Sequence, residues 1–420
     1  MVNTIFFKDK IITIVGFARS GLACANLLWE LGSRVSVTDS ADNAVLRKNY
    51  QNLKSKEIKV ELGRHTIDFI RGRDLIVVSP GVDDSSPALK WAKELSIPVI
   101  SEIELASRLC PGTIIAVTGS NGKTTVTTLI GKVLQANSKK AFVCGNIGTP
   151  FTLEVKKIKE GDFAVVEVSS FQLEKIDTFK PKVAVILNIT PNHLDRYSSM
   201  DEYITAKKRI FKNQDKSDYL VLNGKDEVLN KVSVQAQSKV MFFSESADFN
   251  PNQEAVMAVA SVFGINRDVC KSVFKEFRGI EHRMEFVKEI SGVKFINDSK
   301  ATTVDSALWA IKNIKEPIIL IAGGKDKGVD YKVMLPGSNG KVKEVILIGE
   351  AKEKIRKALK GFLPLDDALT LDEAVNKAFV KARKGDCVLL SPMCASFDMF
   401  LNYEERGKAF KHAVASLSAK

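Results

Sequence analysis

The chain has 420 residues, of which 45% are apolar and 27% charged, the balance of an ordinary water-soluble protein of about two to four domains. Its apolar runs are too short to span a membrane, and the N-terminal stretch, broken by Lys8, Asp9 and Lys10, is no secretory signal, so the cytoplasm is expected. The net charge of +12 comes from scattered lysines with no basic stripe interleaved with aromatics, which argues against a nucleic-acid partner. The six cysteines form no C-x-x-C pair and read as buried reduced thiols.

One theme recurs along the chain: a short β-branched run, a Gly-rich or polar turn, then an amphipathic helical stretch. Strands are predicted at 11–16, 34–38, 74–79, 113–118, 163–168, 183–188, 218–222, 317–322, 344–349 and 386–391, and a fresh series opens with "VKFIND" at 293–298. These runs are nearly all apolar rather than alternating, as in parallel strands covered on both faces. The class is α/β, with three blocks: a Rossmann-like N-terminal domain (1–110), a central P-loop-type domain (111–284) and a Rossmann-like C-terminal domain (285–420).

In the first block, "IVGFARSGLACANLLWELG" reads as strand, glycine turn and helix. Gly16 and Gly21 are present, but Ala18 replaces the middle glycine of G-x-G-x-x-G, which argues against ordinary dinucleotide binding. Phosphate at the helix N-terminus, near Arg19 and Ser20, remains compatible. The next strand ends at Asp39 and Ser40, where an acidic residue commonly reads a ribose or base. A third ends in Ser79-Pro80-Gly81. The block reads as a nucleotide-like ligand site.

In the second block, "VTGSNGKTT" fails the pattern G-x-x-x-x-G-K-[ST], because Val117 stands where the first glycine belongs. The context, strand then loop then helix, is nevertheless that of a phosphate loop. Gly119 and Gly122 free the backbone, so that the amides of Ser120 and Asn121 turn toward phosphate oxygens. Lys123 supplies a point charge, Thr124 is placed for Mg²⁺, and Thr125 follows. Polar clusters then end further apolar runs: Asn146 in "FVCGNIGTPF", Glu167 and Ser169 in "VVEVSSFQLE", and Asn188, His193 and Asp195 in "VILNITPNHLDRY". Sites in open α/β sheets lie at strand carboxyl ends, so these should converge on the loop. Glu167 is a hard oxygen donor suited to Mg²⁺. His193 is a second-metal ligand or a general base. The stretch "MDEYITAKKRIFKNQ" reads, by itself, as a basic amphipathic helix.

"TGSNGKTT", "GNIGTPF", "EVSSFQLE" and "NITPNHLDRY…AKKRIF" resemble the Mur ligase family of ATP-dependent amide-forming enzymes, and "FRGIEHRMEF" (277–286) extends the match. "INDSKATT" (296–303) and "LLSPMCASFDMFLNYEERGKAF" (389–410) resemble the branch that adds D-glutamate to UDP-N-acetylmuramoyl-L-alanine. The resemblance runs from the Gly16 turn to Phe410. It implies a monomeric enzyme with ATP and two Mg²⁺ sites, the metal residues being Thr124, Glu167, His193 and Lys207. The lysine of the "AK" helix is carbamylated by CO₂ in this family. Lys207 and Lys208 are both candidates, and the A-K-x-R-I register selects Lys207. Positive charge at Lys208 and Arg209 is expected to favour the neutral, CO₂-reactive amine.

The resemblance further implies catalytic roles for Lys123, Asn146, His193 and Lys207. The ATP set is 119–125 with Asn252, Arg283 and Asp298. The UDP-sugar set is Gly16, Ala18, Arg19, Ser20, Asp39, Ser40, Ser79, Gly81, Asn146, Ser169 and Gln172. Lys300, Thr302, Lys327, Ser396 and Tyr403 are implied for D-glutamate. The chain departs from the family pattern at Ala41, Pro251, Ala255, Thr303 and Tyr403. Rival readings are a Mur-type ligase for another amino acid, a folylpolyglutamate synthetase, a slow ATPase regulator, and a dinucleotide oxidoreductase, the last disfavoured by Ala18.

Overall fold

The computed structural model describes residues 4–190, 196–277, 279–326, 328–338 and 340–418. Two compact units are present, Met1–Phe277 and Arg278–Lys420. The first holds two sheets. One contains β1 (Ile11–Val15), β2 (Arg34–Asp39), β3 (Lys59–Leu62), β4 (Leu75–Val78) and β5 (Val99–Ser101), in the order β3-β2-β1-β4-β5. The other contains β6 (Thr113–Thr118), β7 (Ala141–Gly145), β8 (Phe163–Glu167), β9 (Val183–Ile186), β10 (Tyr219–Asn223) and β11 (Lys239–Phe243), in the order β11-β10-β9-β6-β8-β7. Every pairing in both sheets is parallel.

The second unit holds β12 (Glu285–Ile290), β13 (Val293–Asn297), β14 (Ile318–Gly323), β15 (Val342–Ile348), β16 (Leu365–Asp367) and β17 (Cys387–Leu390), ordered β12-β13-β17-β14-β15-β16. Its β12–β13 pair is antiparallel and the rest parallel.

Successive strand residues point to opposite faces, and helices cover both faces here, so each inner strand feeds two cores. In the central sheet, Ile115, Val117, Val165 and Val185 pack with Val126 and Ile130 of the helix Lys123–Ala136. The alternate residues Ala116, Ala164, Val166 and Ile186 join a cluster that also contains Ile12, Ile14 and Val37 of the first sheet. That shared cluster is why the first two sheets form one unit. Glu104 reinforces the join: its buried carboxylate accepts the backbone amides of Asp177, Thr178 and Phe179.

The strands expected from apolar runs are the inner strands of the three sheets. The edge strands β3, β5, β11, β12 and β16 were not anticipated, and β7 showed only as the apolar start of "FVCGNIGTPF". Edge strands are covered less and carry more polar residues, as in "KVEL" of β3 and "LDD" of β16. All six cysteines are unpaired thiols, five of them buried. Among the described residues no helix is long and apolar enough to cross a membrane.

Candidate active site

The loop after β6 lies where the central sheet changes direction, with β8 on one side of β6 and β9 on the other. Gly122 caps the following helix at φ +84°, a conformation costly for other residues, and no side chain caps that N-terminus. A helix N-terminus without a side-chain cap is the end at which the helix dipole favours an anion. The exit of β9 holds the loop in shape. Ser120 N donates to Asn188 O at 3.0 Å, and Asn121 N donates to Asn188 Oδ1 at 2.8 Å. The Ser120 hydroxyl donates to Thr190 O at 3.0 Å and accepts the Thr190 amide at 2.9 Å. The amides of Ser120 and Asn121 are thus both spent on Asn188, which corrects the expectation that they turn toward phosphate oxygens: the exit of β9 fixes the loop by taking those donors. Lys123 Nζ folds over the loop onto Gly119 O at 2.8 Å and Ser120 O at 3.0 Å. Thr124 is buried behind it, and Thr125 is half-buried.

Asn252 arrives from the helix Pro251–Val262. A Cβ on Gly122 would stand 2.6 Å from its Oδ1, so Asn252 lies against the loop. The neighbouring departures from the family pattern have local explanations. Pro251 takes the first helical position, where its missing N–H costs nothing, behind an Asn250–Gln253 capping box. Ala255 is buried in the core.

Lys207 is 1% exposed. Its Nζ donates to Gly119 O at 3.1 Å, contacts Thr118 Oγ1 at 3.4 Å and lies 4.6 Å from the centre of the Tyr203 ring. Burial, then the charge of Lys123, holds its ammonium well below the usual lysine range, against a smaller opposing pull from Glu167. The expectation that Lys208 and Arg209 do this is corrected. Arg209 is turned away, donating to Leu173 O and Ile176 O at 2.7 Å each, and Lys208 is not among the groups that lower the lysine.

Glu167, 2% exposed, ends β8 beside Val117 of β6. Its Oε1 accepts Asn146 Nδ2 at 2.8 Å, while its buried Oε2 has no partner among the described residues. An orphaned carboxylate oxygen beside a phosphate loop fits a hard divalent cation. His193, Asp195 and Lys327 lie outside the described residues. Among the described residues no three His, Cys, Asp or Glu side chains are placed to hold a metal ion by themselves.

A second site sits in the first sheet, in a cleft of about 630 Å³. Gly16, Ala18, Arg19, Ser20, Asp39, Ser40, Ser79 and Gly81 all line it, together with His65, which sequence reasoning missed. Gly16 has φ +95°, and a Cβ there would meet Ser79 Cβ at 2.8 Å. A Cβ on Gly21 would meet the Gly16 carbonyl at 1.9 Å, so this glycine serves helix–strand packing. Asp39 is partly spent on the fold: Oδ2 accepts Phe17 N at 2.7 Å and Oδ1 accepts Ala41 N at 2.9 Å. Arg19 donates to Gly148 O, in the loop that carries Asn146. Arg196 donates to Pro80 O at 3.3 Å and Val82 O at 3.1 Å, with its guanidinium 4.0 Å from the Phe171 ring centre. Ser169 and Gln172 form a capping box with each other, and neither lines the cleft.

In the second unit, Arg283 sits at a tight turn between His282 at φ +63° and Met284 at φ +47°. Strain of this kind marks a position held by its surroundings, here by the Asn297 contact to the His282 ring at 2.9 Å. Asp298 is 4% exposed and accepts the Ser391 hydroxyl at 2.9 Å and the Met284 amide at 3.2 Å. Burial pushes its carboxyl up to about 7. Lys300 Nζ lies 5.7 Å from the Tyr403 ring centre. Thr302 and the buried Ser396 lie on the loops after β13 and β17, and Thr303 keeps a capping role on the helix Val304–Asn313. Arg406, 1% exposed, was not anticipated. It donates to Ser299 O at 2.9 Å and to Cys394 O and Ala395 O at 3.2 Å, binding those two loops together.

Residues 10–101 match the family described as Mur ligase MurD-like, N-terminal domain. Residues 117–285 match the Mur ligase middle domain, and 282–394 the Mur ligase, glutamate ligase domain. A UDP-N-acetylmuramoylalanine--D-glutamate ligase from Thermoanaerobacter pseudethanolicus is 42% identical, over 98% of this chain and 99% of its own. The chain belongs to the Mur ligase family. Among solved Mur ligases, the UDP-N-acetylmuramate-alanine ligase of Thermotoga maritima shares the fold at a TM-score of 0.61 and 19% identity, covering 97% of this chain and 99% of its own. The MurF ligase of Thermotoga maritima, solved with ADP, does so at 0.58 and 15%, covering 99% and 97%. The three-domain α/β architecture is thus that of a Mur ligase. In this family member one loop gathers Lys123, Asn252 and Lys207, with Asn146 paired to Glu167, while the first sheet gathers most of the expected sugar-nucleotide residues.

Proposed function

We propose that the chain is an ATP-dependent ligase that joins D-glutamate to UDP-N-acetylmuramoyl-L-alanine, a cytoplasmic step of peptidoglycan precursor synthesis. The observation that carries it is the burial of Lys207 against the phosphate loop, where Lys123 and Glu167 both act on its charge. The choice of D-glutamate is supported by the relative's name and by the 42% identity. We assign residues 1–110 to the sugar nucleotide, 111–284 to ATP and 285–420 to the amino acid.

The reaction follows from the chemistry of an unreactive carboxylate. Its oxygen attacks the γ-phosphorus of ATP, ADP leaves, and an acyl phosphate forms. The amine of D-glutamate then attacks the acyl carbon, phosphate leaves, and one proton is lost. Lys123 and the N-terminus of the helix Lys123–Ala136 hold the phosphates as negative charge moves toward the leaving ADP. Glu167 and Thr124 would hold one Mg²⁺, and His193 with carbamylated Lys207 a second, each neutralising phosphate charge. A buried, neutral Lys207 is the form that reacts with CO₂. Asn146, fixed on Glu167, orients the acyl group. Arg283, Asn252 and Asp298 are assigned to the nucleotide. Lys300, Thr302, Lys327, Ser396 and Tyr403 are assigned to the dicarboxylate, which requires cationic and hydroxyl donors.

The test is phosphate release from ATP with UDP-N-acetylmuramoyl-L-alanine across a panel of D- and L-amino acids. D-glutamate is expected to raise turnover well above that of every other member. Turnover no greater with D-glutamate than without it would remove the assignment, and preference for another amino acid would move it to a sibling ligase.

A further inference from the structure

His65 follows β3 and lines the first-sheet cleft beside Asp39 and Ser40. Its Nδ1 lies 2.8 Å from the hydroxyl of Thr38, which is fully buried. That hydroxyl also lies 2.9 Å from Glu61 Oε2 and 3.2 Å from the Arg64 carbonyl. Glu61 Oε2 is acting as an acceptor, since it takes the Thr66 amide at 2.9 Å, and a carbonyl can only accept. A hydroxyl has one proton, and it is committed to one of these two oxygens. The remaining contact is a hydrogen bond only if His65 Nδ1 carries the proton and donates to Thr38. The charged groups around the ring are Asp39 and Glu61, the latter 3.7 Å from Arg64. Burial outweighs both carboxylates and holds the imidazolium below the usual histidine range, so the ring is neutral at pH 7. A neutral ring protonated at Nδ1 carries a lone pair on Nε2. Among the described residues the ring's only hydrogen-bond contact is the one to Thr38.

We propose that Nε2 of His65 accepts the imide N3–H of uracil and sets the base specificity of the cleft. The proposal rests on the sugar-nucleotide reading of that cleft. The phosphates belong at the Gly16 turn, where the helix Arg19–Glu30 presents an N-terminus with no side-chain cap. β3 is two strands away from β1, roughly 10 Å at the usual strand spacing, which is the reach of a nucleoside beyond its phosphate. Asp39, between them, already accepts a backbone amide on each oxygen. A base with an acceptor at N3, such as cytosine, would set two lone pairs against each other.

The experiment is calorimetric titration of the full chain with UDP and with UDP methylated at uracil N3, for the wild type, His65→Leu and His65→Gln. The wild type is expected to prefer UDP by about 10-fold or more, the usual size of one buried hydrogen bond lost. His65→Leu is expected to lose that preference by binding UDP more weakly, and His65→Gln, which keeps an acceptor, to retain part of it. Equal binding of the two ligands by the wild type, or an undiminished preference in His65→Leu, would overturn the role of His65. Should the wild type bind neither ligand, the sugar-nucleotide reading of the cleft falls instead. The wild-type comparison decides even if a variant is poorly folded.

Discussion

Gly119–Gly122 after β6 and Gly16 after β1 occupy equivalent places in their sheets. Each follows an inner strand at a change of direction, and each feeds a helix whose N-terminus has no side-chain cap. Their surroundings differ. The central loop is overhung by Lys123 and undercut by Lys207, with the orphaned Glu167 oxygen nearby. At the first-sheet turn the carboxylate of Asp39 holds the Phe17 amide, and the adjacent cation, Arg19, is bonded to Gly148 O. The backbone device, an uncapped helix N-terminus after a glycine turn, is the same in both. Only the central loop adds Lys123, Lys207 and Glu167, and on the proposed function that is why the first site binds and the central one reacts.

The sharpest way to break this contrast is Lys123→Ala. It is expected to lower kcat by on the order of 10³-fold in the phosphate-release assay while leaving UDP affinity at the first-sheet cleft unchanged by calorimetry. A parallel loss of UDP affinity would show that the two loops are not separable. Next, Lys207→Ala is expected to lose activity by roughly 10²-fold, partly restored by added formate or acetate, which stand in for the carbamate. Full activity in this variant would remove the carbamate from the mechanism.

Lys207→Met sharpens the same point through stability. Burial makes the folded lysine release its proton at a lower pH than the unfolded one, so the protonated side chain favours the unfolded state below the ordinary lysine range. Lys207→Met is therefore expected to unfold roughly 2 °C or more above the wild type at pH 7. The gap should narrow as pH rises through the ordinary lysine range, where the unfolded chain loses its proton too. A gap that widens with pH would contradict the buried neutral amine. The smallest effect is expected from Gly16→Ala. The new Cβ meets Ser79 and Val82 at a left-handed φ, which costs about 1–3 kcal/mol, read as a lower melting temperature and weaker UDP binding with kcat nearly unchanged.

Much of the fold was legible because burial on both faces leaves a plain signature. The inner strands β1, β4, β6, β8, β9, β14 and β17 are nearly continuous apolar runs. The edge strands are not, since one flank lacks a neighbour and their residues need not be apolar. The phosphate loop was legible despite Val117, because glycine, lysine and threonine at that spacing after a strand answer a local geometric need. Lys207 was not legible in that way. "AKKRIF" reads as a charged helix face, and only the family resemblance singled out its first lysine. His65 and Arg406 left no local signal at all: one becomes visible through Thr38 and Glu61, the other through carbonyls on two distant loops.

Local sequence alone pointed to the inner strands, to glycines at positive φ after β1 and β6, and to the strand, loop and helix assigned to phosphate, because each depends on backbone geometry within a few residues. It also placed Glu167 at the carboxyl end of a strand. Tertiary structure alone decided that the charge of Lys207 is disfavoured, that one oxygen of Glu167 has no partner among the described residues, and that His65 Nδ1 meets the buried Thr38 hydroxyl. Protonation and pairing depend on desolvation and on neighbours brought together from strands far apart in the chain, and no local spacing encodes that.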